Sequence, residues 1–240
     1  MNVTTISRLL DLNRQFYQTF ALQFSATRQR LQPGVRQVLA TLDSAAHVLD
    51  LGCGNGELGR EMARRAHQGH YVGLDLSAEL LSEARKDLPD ASLSTFLQRD
   101  LATPDWDRDL PLSAFDIILA FAVLHHLPGA ALRRQVLERV GTHLSPTGCF
   151  IHSEWQFLHS PRLRARLQPW EKIGLSEADV APGDYLIDWR HGGLGLRYVH
   201  LFTLAELADL ASESGFTISK TFFSDGDGGQ LGLYQVWMIV

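Results

Sequence analysis

The sequence predicts an α/β protein: a parallel sheet with helices on both faces, an inserted cap, and a closing helix and β-hairpin. Three observations carry this. Strand-like runs at residues 47–51, 71–76, 93–97, 115–121 and 149–153 alternate with helical patterns at 57–66, 78–88 and 130–144, the rhythm of a wound parallel sheet. The first strand runs straight into Gly52-Cys53-Gly54-Asn55-Gly56, a turn that glycine's freedom at φ > 0 makes tight. After Glu154 the rhythm breaks, and it resumes only near Thr203.

Residues 6–24 have helical spacing, with Leu9, Leu10, Leu12, Phe16, Phe20 and Phe24 apolar. Pro33 opens a second helix, its fixed φ suiting the first turn. Residues 155–197 carry Pro161, Pro169, Pro182, Gly183, Gly192-Gly193 and three of the five tryptophans, Trp155, Trp170 and Trp189. This reads as a cap inserted into one domain. Thr203 and Glu206 form a capping-box pattern for a helix to 214, with Gly215 as its C′ residue. Strands at 216–223 and 231–240 flank a hairpin-like turn at 225–229. The expected organisation is one domain, 1–240, comprising N-terminal helices (1–44), a cofactor-binding core (45–154), a cap (155–200) and a closing helix and hairpin (201–240).

The chain has 240 residues, 45% of them hydrophobic, and a formal net charge of -5. Global attraction to nucleic acid is therefore not favoured. Cys53 and Cys149 are the only cysteines, so neither a disulfide scaffold nor cysteine-based zinc ligation is expected, and no metal-ligand spacing is seen. No signal-peptide core or bilayer-length apolar run is read in the sequence, so a soluble, cytoplasmic protein is expected.

Gly54-Asn55-Gly56-Glu57-Leu58-Gly59 matches G-x-G-x-x-G, which brings NAD into consideration. Asp50, inside the end of the first strand, suits a ligand carrying an ammonium and a sulfonium better than a pyrophosphate. Asp75 ends the second strand, placed for a ribose diol, and Asp100 follows the third, placed for an adenine amine.

These three acids with the glycine turn resemble the class I S-adenosylmethionine-dependent methyltransferases. The resemblance implies a Rossmann-like sheet of seven strands, order 3-2-1-4-5-7-6, with strand 7 antiparallel. It also implies S-adenosylmethionine as cofactor, with Asp50, Gly52, Gly54 and Gly56 around its amino-acid part, Asp75 on the ribose and Asp100 on adenine. Tyr17, Arg28, Cys53, Leu76, Leu101 and Phe121 complete the expected cofactor set. Cys53 reads as a packing residue rather than a nucleophile.

Within that class, Tyr17 with residues 24–28, the run Val123-Leu124-His125-His126 and the run 197–202 resemble the methyltransferases that esterify a carboxymethyl-uridine at the tRNA wobble position. The chain departs from that pattern at residues 29–33 and 226–229. An acceptor carboxylate is already ionised near pH 7 and needs orientation rather than a base. Arg28 and Arg197 are the candidates to hold it, with Tyr198 and His200 beside them. Arg28 has an alternative role on the cofactor carboxylate, and Arg197 in a structural ion pair. For a hydroxyl or amine acceptor, His125 or His126 would serve as general base; otherwise they shape the pocket. The rival enzyme reading is a small-molecule O- or N-methyltransferase whose cap aromatics Trp155, Phe157, Trp170, Tyr185 and Trp189 line the acceptor pocket. A third is a non-catalytic cofactor-binding subunit. Arginine clusters at 28/30/36, 133/134/139 and 162/164/166 are the candidate RNA contacts, and weak RNA binding would call for an activator protein.

Overall fold

The computed structural model describes residues 1–27, 30–86, 88 and 92–240. Helices α1 (Val3–Ala26) and α2 (Pro33–Leu39) lead into β1 (Val48–Leu51), α3 (Glu57–Arg64), β2 (Tyr71–Asp75), α4 (Ala78–Ala84), β3 (Ser94–Gln98) and β4 (Phe115–Phe121). One helical turn, Leu124–His126, precedes α5 (Ala130–His143) and β5 (Leu144–Trp155). The cap holds α6 (Pro161–Arg164), β6 (Leu167–Gln168), β7 (Asp184–Trp189) and β8 (Gly195–His200). Helix α7 (Leu204–Glu213) and strands β9 (Phe216–Ser224) and β10 (Gly232–Ile239) close the chain.

The main sheet runs β3-β2-β1-β4-β5-β10-β9. Strands β1 to β5 pair in parallel, and β10 is antiparallel to both β5 and β9. This is the expected order, the last strand in sequence inserted beside β5. Side chains alternate across a strand, so β1, β4 and β5 feed two cores. Leu49, Ile118 and Phe150 pack with Val136, Val140, Leu207 and Leu210 of α5 and α7. Val48, Leu119 and Ile151 pack with Val35, Val38, Leu58 and Met62 of α2 and α3.

Pro33 opens α2, and Ser77 caps α4 through Leu80 N at 3.2 Å. Thr203 accepts from Glu206 N at 3.1 Å and Gly215 adopts φ +79. The capping box at Thr203 is only half made, however. The Glu206 carboxylate turns inward to His200 and Arg133, whose buried donors need an acceptor more than an exposed helix end does.

The cap is a three-stranded antiparallel sheet, β6-β7-β8. Helix α1 ties it to the main sheet. Leu9 packs with Trp170, Leu186 and Tyr198, and Phe16 and Phe20 pack with Trp189. One cavity lies where α1 and the cap meet the C-terminal ends of β1, β2 and β4, the position at which open α/β sheets hold ligands.

Candidate active site

The cavity measures about 370 Å³, within the range of small-molecule sites. Its two ends are built differently.

One end is a short run of chain. Cys53 N bonds Leu74 O at 2.9 Å, which pins the glycine turn to β2. Gly54 has φ +57, and a Cβ there would meet no other residue within 4 Å. The backbone is thus bare toward the cavity, as a cradle for an elongated ligand requires. Gly54 N donates to Asp75 Oδ2 at 2.8 Å and Ser77 N to Oδ1 at 2.9 Å, which fixes that carboxylate at the rim. Asp50 is 4% exposed and, among the described residues, accepts only the Tyr71 hydroxyl, at 2.5 Å. Burial pushes its pKa up to about 7, against the hydrogen bond from Tyr71 and with help from the charge of Asp75. No cation pairs with it among the described residues. A buried carboxylate facing a cavity without a counter-ion fits a ligand that brings one.

Asp100 also lines the cavity, but α1 has reached it: Arg14 Nε and Nη2 bond Oδ2 at 2.9 and 2.6 Å, while Ala102 N bonds Oδ1 at 2.9 Å. Oδ1, which accepts one bond, keeps lone-pair capacity for an amine. Leu76, Leu101, Phe121, Gly52 and Cys53 line the same end, whereas Gly56 stands behind it as the N-cap of α3 with φ +74. Burial raises the Cys53 thiol well above its ordinary pKa, in keeping with a packing role. Arg28 lies outside the described residues.

The other end is assembled from four distant elements. Ala122 turns the chain after β4 with φ +58, a strained conformation of the kind that clusters at functional sites. Ser153 Oγ holds its N–H at 3.1 Å. His126 follows. Its Nδ1 lies 3.2 Å from Tyr198 O and its Nε2 2.8 Å from the Tyr17 hydroxyl. A carbonyl only accepts, so Nδ1 carries the proton and Nε2 receives the Tyr17 O–H. His126 is thereby occupied holding Tyr17 and α1, and a general-base role falls away from it. His125 is 2% exposed and puts Nδ1 3.1 Å from Glu154 Oε2, while Oε1 of Glu154 lies 3.0 Å from His152 Nδ1. Burial holds both imidazoles below the usual histidine range, His152 at about 3, and pushes Glu154 well above the carboxylate range.

Arg197 is 6% exposed and lines the cavity. Its guanidinium carbon stands 5.2 Å from the ring centres of Phe16 and Trp155, and 5.7 Å from Trp189. These faces partly compensate the charge. No carboxylate lies within 4.0 Å among the described residues, and Nε has no hydrogen-bond partner. The structural ion pair considered for Arg197 is therefore absent there.

Tyr198 and His200 line no part of the cavity. Tyr198 donates to Asp184 Oδ1 at 2.7 Å and receives Arg133 Nη2 at 3.0 Å. His200 bridges Asp184 and Glu206 at 2.7 and 2.8 Å. Alternation along β8 puts these two on the face opposite Arg197. Of the five cap aromatics expected around an acceptor, Trp155 alone lines the cavity; Phe157 and Tyr185 pack against Ile187 and Val199, and Trp170 against Leu9. The arginine cluster of α5 is committed: Arg133 is buried, Arg134 pairs with Glu213 at 2.8 Å, and Arg139 with Asp107 at 3.4 Å. Arg162 and Arg164 are exposed.

Sequence reading passed over Arg14, Glu154 and Asn13. Asn13 bonds both backbone groups of Tyr198. Leu10, Asn13, Arg14 and Tyr17 share one face of α1 at helical spacing, so the periodicity that marked the apolar residues also marked these. Glu154 is the lone acid in the apolar run 149–155, itself a signal.

A methyltransferase-domain family model matches residues 49–150. A protein of Encephalitozoon cuniculi, provisionally named a methyltransferase, is 28% identical over 85% of this chain and 86% of its own length. The trans-aconitate 2-methyltransferase of Azoarcus sp. is 38% identical over 53% of this chain, which spans 46% of that protein. A Methanosarcina mazei S-adenosylmethionine-dependent methyltransferase structure superposes with a TM-score of 0.65 at 21% identity, covering 88% of this chain and 98% of the other. No helix among the described residues is long and apolar enough to cross a membrane.

Proposed function

We propose that this chain, a class I methyltransferase whose cofactor is S-adenosylmethionine, esterifies a carboxylate of a small organic acid held by Arg197. The observation that carries this reading is the guanidinium itself: buried, facing the cavity and without an anion among the described residues. A charge in that setting is costly until paired, and a planar guanidinium matches a carboxylate bidentately. The trans-aconitate methyltransferases, which share the methyltransferase core, are named for an acid of this kind. The small-acid reading requires neither RNA nor an activator, and the committed arginines of α5 give a tRNA acceptor no support.

The chain's residues divide the work. Asp50 would meet the cofactor's cationic amino-acid end, Asp75 its ribose and Asp100 its adenine. When bound, S-adenosylmethionine supplies a methyl carbon made electrophilic by its sulfonium. Arg197 orients the acceptor and spreads its charge without taking a proton, since a carboxylate near pH 7 carries none. Phe16, Trp155 and Trp189 keep water from that ion pair, which strengthens it.

The test is incubation with methyl-labelled S-adenosylmethionine and a panel of di- and tricarboxylic acids, followed by mild alkali. Alkali-labile label in a small acid is the expected result. Label stable to alkali, or label found only in RNA, would overturn the reading.

A further inference from the structure

We infer that His125, oriented by Glu154, makes this site selective for acids that carry a hydroxyl group, which donates to its Nε2. The inference rests on the small-acid reading and adds the second group that the acceptor must bear.

The geometry concerns one nitrogen. His125 lines the cavity and spends Nδ1 on Glu154. Its Nε2 bonds no described residue. What Nε2 presents depends on where the protons sit around Glu154. With the carboxylate ionised, both imidazoles donate from Nδ1, and His125 Nε2 is a lone pair. With Glu154 protonated, it donates to one ring and accepts from the other. We place that proton on Oε1, 3.0 Å from His152 Nδ1, so that Oε2 still accepts from His125 Nδ1. Both arrangements leave a lone pair on His125 Nε2.

A neutral imidazole lone pair repels a carboxylate and wants an O–H. Arg197 and His125 both stand near Trp155, whose ring is 5.2 Å from the guanidinium and 6.4 Å from the His125 ring. The site thus offers a cationic donor and a neutral acceptor flanking one aromatic wall. An acid with a hydroxyl near its carboxylate satisfies both. Its deoxy analogue leaves Nε2 unmet, and sites built to bond a substrate hydroxyl discriminate strongly against analogues that lack it. Glu154 is a positioning residue here: it lines the cavity, but its two oxygens are taken up by His125 and His152.

The experiment compares malate with succinate and citrate with tricarballylate, pairs differing by one hydroxyl, on the full chain with S-adenosylmethionine. The expected result is a kcat/KM at least about tenfold higher for each hydroxy acid that is used. In H125F the ratio should fall to within about threefold, with S-adenosylhomocysteine affinity retained. E154Q should keep the preference, because its amide replaces the protonated carboxyl, donating to His152 and accepting from His125; E154A should lose it. Wild-type protein that methylates the deoxy acids as well as the hydroxy acids overturns the inference while leaving the small-acid reading intact. Methylation of no acid fells that reading and the inference together. The wild-type comparison stands even where a variant fails to fold.

Discussion

Arg133 and Arg197 are buried to similar degrees, 3% and 6% exposed, yet their surroundings differ entirely. Arg133 Nε bonds Leu127 O at 2.9 Å, its Nη1 reaches Glu206 at 3.2 Å, and its Nη2 reaches the Tyr198 hydroxyl at 3.0 Å, with Asp184 at 3.9 Å. Every direction of that fork is met from within the fold. Arg197 has aromatic faces and, among the described residues, no anion. At the other end of the cavity Asp50 is its counterpart in the other sign, a buried carboxylate with a tyrosine and, among the described residues, no cation. Charges completed by the fold hold the fold; charges left open toward a cavity are completed by ligands.

That contrast breaks first at Arg133. Arg133→Met strands Asp184 and Glu206 with lost partners, and removing one member of a buried pair costs about 3–5 kcal/mol. Urea denaturation should show a loss of that size. Stability unchanged in this variant would mean that the network around Arg133 is not structural.

A smaller effect sharpens the other half. Asp50 has a folded pKa of about 7 against an ordinary 3.8, so between those values the folded chain holds a proton that the unfolded chain has lost. Its contribution therefore lowers stability as pH rises through that window, and the loss is complete above about pH 7. Ligand binding runs the opposite way, because the ammonium group requires the ionised form. Affinity for S-adenosylhomocysteine, measured by calorimetry from pH 5.5 to 8.5, should rise up to about tenfold per unit below pH 7 and then level. Asp50→Asn should bind weakly and remove that slope. A slope that survives in Asp50→Asn would assign the titration elsewhere.

The cavity end built around Gly54 and Asp75 was legible because it is local. Glycine spacing and an acid at each of three successive strand ends are sequence features, and they specify backbone and side chain together. The sheet order followed from the same resemblance. The acceptor end was legible only in part, since α1, the turn after β4, β5 and β8 meet through tertiary packing. Arg197 was visible, but its neighbours Tyr198 and His200 were grouped with it although alternation in β8 sends Tyr198 and Arg197 to opposite faces. Glu154 escaped notice because its role depends on His125, 29 residues away in sequence.

The most direct measurement is Arg197→Met, with kcat/KM for whichever acid is methylated, S-adenosylhomocysteine affinity and urea stability determined on one preparation. Loss of one or two charged hydrogen bonds, at about 1.5–3 kcal/mol each, should lower kcat/KM by at least about tenfold. Cofactor-product affinity should hold, and stability should change by less than about 1 kcal/mol, since a buried unpaired charge is replaced by an apolar chain. Full activity in the variant, or collapse of the fold as at Arg133, would contradict the assignment of Arg197 to the acceptor.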